Sequence, residues 1–217
     1  MRFYSAAAIA FLLLMAGGGA ADAASILTFD ATGRGWIRSD LTSNGVSATN
    51  NYIAGGCCPG HEYRNFFFFQ PTFTGTVTAA RLLLDAASYV TPDPTETYQV
   101  TSLGASFGFG DLGTGTFYGS RVFSAADAGQ TVSIPLNTAA IAAIVSGQTF
   151  RVGGRLTTYS GQTSEDEAVF WGSGSREQTR LELTLSETAI PEPSSFALAG
   201  LGLLGIGLWG RRRMRAR

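Results

Sequence analysis

Short runs in which apolar and polar residues alternate, separated by Gly, Asn, Asp and Pro, recur along most of this chain. Alternation with a period of two places the apolar side chains of each run on one face, as in a β-strand buried on one side. The clearest runs carry Leu27 and Phe29; Ala80, Leu82 and Leu84; Tyr98 and Val100; Val132, Ile134 and Leu136; Phe150, Val152, Gly154 and Leu156; and Leu181, Leu183 and Leu185. Repeated one-face strands predict an all-β domain, an antiparallel β-sandwich or jelly roll.

One short helix interrupts the strand pattern. Asn137 or Thr138 can cap it, and Gly147 can end it. Its predicted apolar face carries Ile141, Ile144 and Val145. We expect this helix to link two strands and to plug one end of the sandwich.

Three further features refine the predicted domain. Pro135 indicates an edge position for its strand, because proline has no N–H to donate to a neighbour. The four consecutive phenylalanines 66–69 predict a strand that is buried on both faces or exposes an apolar patch, and a core strand is favoured. Gly104 to Gly115 reads as a glycine-rich loop, and its GxGxxG letters at 108–113 lack the strand and helix that a nucleotide site requires.

The only two cysteines, Cys57 and Cys58, are adjacent, and the only histidine, His61, follows closely. An oxidising compartment would permit a disulfide between the neighbours, although such a ring is tight. Two free thiols, bridges to another chain, and a metal site that includes His61 are the alternatives. Zinc needs four ligands, and this stretch offers only three, so no metal is assigned here.

Two other groups of residues are candidates for binding. Glu165, Asp166 and Glu167 are either a solvated loop or weak calcium ligands, since calcium prefers clustered carboxylate oxygens. Trp36 and Trp171 could stack on sugar rings if they are exposed, together with Tyr52 or the phenylalanine run.

Charge excludes some functions for the central part of the chain. Residues 25–190 contain nine arginines and fourteen acidic residues, a net charge of −5, and no lysine. An acidic domain is a poor nucleic-acid binder, and lysine-based catalysis is impossible. No HExxH motif occurs, and no pair of carboxylates stands out as a glycosidase site. We therefore expect a non-enzymatic domain without a cofactor, and a secreted hydrolase is the least favoured alternative.

Both ends of the chain carry targeting features. Residues 1–23 combine Arg2, a short apolar stretch and the small residues Ala21-Asp22-Ala23, which predict a signal peptide cleaved after Ala23, or else after Ala24. Residues 24–186 then form the predicted ectodomain, and residues 187–193 a linker. Residues 194–210 contain no charge and predict a transmembrane helix of about 25 Å, followed by the basic cytoplasmic tail 211–217.

Pro191, Glu192 and Pro193 precede the apolar span 194–210, and the arginines 211–213 follow it. With these three parts in this order, the end of the chain resembles the PEP-CTERM sorting signal of Gram-negative bacteria. The resemblance implies that an exosortase recognises the membrane-anchored precursor and cleaves near the motif. It also implies delivery to the cell surface or beyond, often in bacteria that make exopolysaccharide. Signal peptidase, exosortase and the membrane are the expected partners. A surface or matrix protein is the expected function, with a carbohydrate-binding module as the alternative.

Overall fold

The predicted all-β class is confirmed by a computed structural model that describes residues 24–57, 60–161, 165–174 and 176–186. Residues Ala24–Ser186 form one compact unit. Twelve strands and one α-helix are named here in chain order: β1 (Ala24–Asp30), β2 (Gly33–Arg38), β3 (Ala54–Gly56), β4 (Glu62–Phe69), β5 (Thr76–Ala86), β6 (Tyr89–Val90), β7 (Glu96–Ser102), β8 (Phe117–Phe123), β9 (Gln130–Leu136), α1 (Thr138–Val145), β10 (Phe150–Leu156), β11 (Glu167–Val169) and β12 (Thr179–Ser186). Two 3₁₀ helices cover Phe109–Asp111 and Ala125–Asp127.

The strands form two antiparallel sheets. The smaller sheet has the order β1-β12-β5-β9. The larger has eight strands in the order β6-β11-β3-β4-β10-β7-β8, with β2 also paired to β4. Within the smaller sheet Leu27 lies opposite Leu183, and Leu181 lies opposite Leu82. The predicted edge position of Pro135 is confirmed, since β9 is the last strand of its sheet.

One hydrophobic core joins the two sheets, as expected for a sandwich-like fold. The smaller sheet contributes residues such as Leu82, Ile134 and Leu183, and the larger sheet faces them with Phe67 and Val152. The inward faces predicted from alternation in β5, β7, β9, β10 and β12 are all buried. Burial of such side chains stabilises a fold by about 1.5–3 kcal/mol each, so this shared core is the main driving force for folding.

The phenylalanine run in β4 is buried on both faces, which confirms the core-strand prediction. Phe67 and Phe69 belong to the core between the sheets. Phe66 is also buried and, with Leu112, forms a separate cluster on the outer face of the larger sheet. Phe107 lies over this face, 5.1 Å from Phe66 between ring centroids. The glycine-rich segment between β7 and β8 is therefore a packed cover for the sheet.

Helix α1 begins where the sequence predicted, because the Asn137 side chain accepts a hydrogen bond from the backbone N–H of Ala140. Its buried residues are Ala140 and Ile144. The expectation for Val145 is wrong, since this side chain is 55% exposed. One residue on a helix turns the side chain by about 100°, so Val145 points away from the face that Ile144 buries.

A chain of polar groups runs through the core. The Tyr98 hydroxyl donates to Asn65 Oδ1 at 2.6 Å, and Asn65 Nδ2 donates to the Tyr52 carbonyl at 2.9 Å. The Tyr52 hydroxyl donates in turn to the Asp85 carbonyl at 2.8 Å. Gly154 is required beside this network, because a Cβ there would lie 1.8 Å from the Tyr98 hydroxyl oxygen. The network connects β4, β5 and β7 and fixes their relative positions.

A buried arginine ties β2 to the loop before β12. Arg34 is only 2% exposed, and its guanidinium donates to the Gly174 and Glu177 carbonyls at 2.6 Å each. It also donates to the Thr179 hydroxyl and lies 4.8 Å from the centre of the Tyr52 ring. Burial lowers the pKa of Arg34 from its ordinary value, and the charge is compensated by carbonyl dipoles and an aromatic face.

Candidate functional site

The two tryptophans of the β-domain lie at one small cluster outside the main core. The cluster consists of buried Ile53, Cys57, Tyr63 and Ala168, with half-buried Trp36 and Trp171 packed against it. Strand β2 supplies Trp36, and the turn after β11 supplies Trp171. The structure therefore brings together two residues that are 135 positions apart in the sequence. We call this group the tryptophan cluster.

Trp36 is held in one orientation by its neighbours. Its ring meets Tyr63 edge to face, with centroids 4.9 Å apart and an interplanar angle of 72°. Its indole N–H donates to Asn51 Oδ1 at 2.9 Å. Asn44 Nδ2 donates to the same oxygen at 2.7 Å. A fixed, half-buried indole offers an apolar surface with little conformational entropy left to lose on binding. Tyr52, the other aromatic candidate, is fully buried and cannot serve.

Cys57 forms part of the tryptophan cluster and is buried. Cys58 lies outside the described residues, so the disulfide between the two neighbours stays a prediction. The half-buried His61 comes just before β4. Gly56, which precedes Cys57, packs closely on Tyr159: a Cβ there would lie 2.4 Å from the tyrosine ring. The glycines before the cysteines therefore allow a close backbone approach.

The acidic triplet 165–167 is divided by strand β11. Glu165 and Asp166 are exposed, whereas Glu167 lies in the strand and is 2% exposed. Calcium binding by the triplet stays a prediction. Sequence reasoning missed the carboxylates that approach Glu167, which are those of Asp93 and Glu96. One oxygen of each lies within 4.8 Å of the other two.

Hydrogen bonds inside the protein account for the two buried carboxylates of this group. Glu167 accepts from the Ser160 backbone N–H at 2.8 and 3.0 Å and from the Ser160 hydroxyl. Glu96 accepts from the Thr91 hydroxyl at 2.7 Å and from the Thr158 hydroxyl. Such carboxylate oxygens are the ligands that calcium prefers, although calcium takes six to eight oxygens and this group supplies only part of that number.

The carboxylates also affect one another electrostatically. Burial raises the pKa of the Glu167 carboxyl above its ordinary value, and repulsion from Glu96 and Asp93 raises it further. The hydrogen bonds from Ser160 oppose this rise. Glu167 is therefore more easily protonated than an exposed glutamate, a property that links its charge to the stability of β11.

The predicted processing residues lie outside the described part of the chain. These are Ala23 at the signal-peptide cleavage site, the motif Pro191, Glu192 and Pro193, and Arg211, Arg212 and Arg213. The predicted spanning segment 194–210 lies outside it as well. Within the described ranges, no helix has the length and apolarity needed to cross a membrane.

Comparison with protein families locates the sorting signal independently. A model described as the PEP-CTERM protein-sorting motif matches residues 189–213. No curated protein matches the chain. The match contains the Pro-Glu-Pro motif, the apolar span and the first three arginines after it. The family match does not extend into the β-domain. The tail of this chain therefore carries a PEP-CTERM sorting motif, a signal that implies export and the sorting of a membrane-anchored precursor by an exosortase.

Proposed function

We propose that residues 24–186 act as a non-enzymatic protein of the cell surface or extracellular matrix, associated with exopolysaccharide. The observation that carries this proposal is the PEP-CTERM motif at 189–213, which only two residues separate from the end of β12. A tail of this kind implies export and sorting of whatever precedes it. What precedes it is one compact β-domain.

The use of charged groups within the domain supports a structural role. Arg34, Glu96 and Glu167 are buried, and each is held by hydrogen bonds to neighbouring backbone or hydroxyl groups. Tyr98 and Asn65 satisfy each other inside the core. Buried polar groups arranged in this way maintain one conformation, which suits a protein that must persist outside the cell.

Sorting is tested by changing the motif in the native host. Replacement of Pro191, Glu192 and Pro193 by alanine should stop tail removal, so that the longer form accumulates in the inner membrane. A matched control replaces Ser194 and Ser195, which follow the motif, by alanine and should be processed normally. Mass spectrometry of the fractionated protein gives both chain ends. Normal processing of the triple variant would contradict sorting through this motif.

The tryptophan cluster favours carbohydrate binding as a second candidate function. Trp36 and Trp171 are the only tryptophans between residues 24 and 186, so the tryptophan fluorescence of the domain reports on this cluster alone. Titration with the host's exopolysaccharide should change that fluorescence. Trp171→Ala should abolish binding and leave folding intact. Phe117→Ala removes an exposed aromatic side chain from β8, at the opposite edge of the larger sheet, and should not alter binding. Unchanged fluorescence at saturating polysaccharide would refute this function.

A further inference from the structure

Strand β1 is an edge of the smaller sheet that no other described residue covers. It pairs with β12 along its full length and ends the strand order on that side. Its sequence, Ala-Ser-Ile-Leu-Thr-Phe-Asp, contains no proline and only one charge, at the terminal Asp30. Natural edge strands are usually protected by charges, prolines, bulges or a covering loop, because their free N–H and C=O groups can pair with another chain.

The other long edges in the described part of the fold have such protection. Strand β9 contains Pro135. Strand β2 is covered by the segment after it, because Arg34 exchanges two backbone hydrogen bonds with Ser47. At the edge formed by β8, the Tyr118 carbonyl accepts from the Asn137 backbone N–H. Only β1 combines full strand length with a free edge among the described residues.

The hydrogen bonds of β1 determine which of its backbone groups point outward. Ala31 N–H donates to the Thr179 carbonyl directly opposite it, so odd-numbered residues face β12. The N–H and C=O groups of the even-numbered residues, Ala24 to Asp30, therefore point away from the sheet. A further strand can therefore form hydrogen bonds with β1 only through these even-numbered residues.

Two copies of β1 satisfy that parity in an antiparallel arrangement centred on Leu27. Ile26 of each copy then lies opposite Thr28 of the other, and Ala24 lies opposite Asp30. All four outward-facing residues of each strand form hydrogen-bonded pairs, and no two like charges face each other. The two Leu27 side chains meet at the two-fold axis. A closed, isologous dimer follows from this symmetry.

The side chains of β1 also favour a second copy of β1 as the neighbouring strand. Leu27 and Phe29 face the core but are only partly buried, because no strand among the described residues lies beyond them. Ile26, on the opposite face, is 59% exposed. A neighbouring copy of β1 would cover all three with apolar or hydroxyl-bearing side chains. We propose that β1 pairs with β1 of a second copy and joins two four-stranded sheets into one of eight strands.

The dimer is tested on residues 24–186, the compact unit that contains its own core. Sedimentation equilibrium over a concentration series should show reversible dimers. Thr28→Pro removes an outward N–H and leaves the pairing with β12 intact. Because the proposed dimer is two-fold symmetric, the substitution removes two hydrogen bonds from the interface. We expect the dissociation constant to rise at least about tenfold. The matched control is Ser133→Pro in β9, the strand at the opposite edge of the sheet. Ser133 lies two residues before Pro135, so its N–H points away from the sheet as the proline nitrogen does.

The register is tested by cysteine cross-linking. Leu27→Cys places two thiols face to face at the axis, so mild oxidation should give a covalent dimer on a non-reducing gel. Ser25→Cys, whose partner would be Phe29, should give little. A wild-type domain that stays monomeric at all concentrations would overturn the proposal. So would a Thr28→Pro variant that dimerises like the wild type, or equal cross-linking at positions 25 and 27.

Discussion

Removal of one oxygen atom from the core should measure how much the polar network contributes to the free energy of unfolding. Tyr98→Phe keeps the buried ring and deletes the hydroxyl that donates to Asn65 Oδ1 at 2.6 Å. Asn65 is fully buried, so its oxygen loses a partner that water cannot easily replace. An unsatisfied buried acceptor costs about 1–3 kcal/mol. For a domain of this size, that loss lowers the melting temperature by roughly 2–4 °C per kcal/mol.

Urea unfolding followed by circular dichroism provides the assay, since a change in midpoint at constant slope reports stability alone. Tyr89→Phe is the matched control, because the Tyr89 hydroxyl donates to the Asp93 carbonyl at an exposed position where water can replace it. Its loss should stay below about 0.5 kcal/mol. The double variant with Asn65→Ala should show a coupling energy of about 0.5–3 kcal/mol with Tyr98→Phe.

Alkaline pH gives a second test of the same hydroxyl. Burial raises the pKa of Tyr98 well above its ordinary value. Above about pH 10 the unfolded chain loses this proton while the folded chain retains it. The contribution of Tyr98 to stability is therefore complete below pH 10 and declines as pH rises. Tyr98→Phe should unfold with a shallower dependence on pH above 10. A variant as stable as the control, with additive double-variant energies, would refute the role of the network.

Three further changes test other parts of the domain. Glu167→Gln should become more stable relative to the wild type as pH rises from 4.5 to 8. The reason is that burial and Glu96 raise the pKa of Glu167, so its ionisation destabilises the fold. Melting temperatures of the variant and the wild type that change equally between these two pH values would contradict this. Asn137→Ala should cost about 1 kcal/mol by removing the cap of α1, whereas Asn137→Asp should retain most of it, as measured by urea unfolding. Arg34→Met should cost about 1–3 kcal/mol, since two carbonyls lose a donor; thermal unfolding without a shift would show that water replaces the guanidinium.

The sequence predicted the strands whose side chains alternate between core and solvent. Leu82 and Leu183 illustrate why: each lies in a run long enough to show a period of two, and burial of one face decides the structure. Strands β3, β6 and β11 contain only two or three residues each. A period of two cannot be detected in so short a run, and these strands exist because a distant neighbour supplies their hydrogen bonds.

The candidate site was less accessible to sequence reasoning for a related physical reason. Residue type alone selected Trp36 and Trp171, but their contact with one cluster depends on the pairing of β2 with β4 and of β3 with β11. The burial of Glu96 could have been predicted from the alternation pattern of its strand. Glu96 shares the parity of Tyr98 and Val100, the buried face of β7. An acidic residue on a predicted core face indicates a buried, hydrogen-bonded carboxylate, and that inference would have found it.

The first and last residues of the β-domain lie side by side in the sheet, and this placement bears on the export of the protein. Ala24 lies opposite Ser186 in the ladder between β1 and β12. Predicted cleavage after Ala23 therefore falls just outside the last pair of that ladder, and the predicted linker 187–193 begins just outside it as well. Since all residues of the ladder lie within 24–186, removal of either targeting segment breaks none of its hydrogen bonds. Cleavage after Ala24, the alternative site, would shorten β1 by its first residue and remove one of the four outward-facing residues proposed to pair with a second copy. The choice of signal-peptidase site is thus coupled to the proposed assembly, because one strand serves both as the start of the mature chain and as the free edge of its sheet.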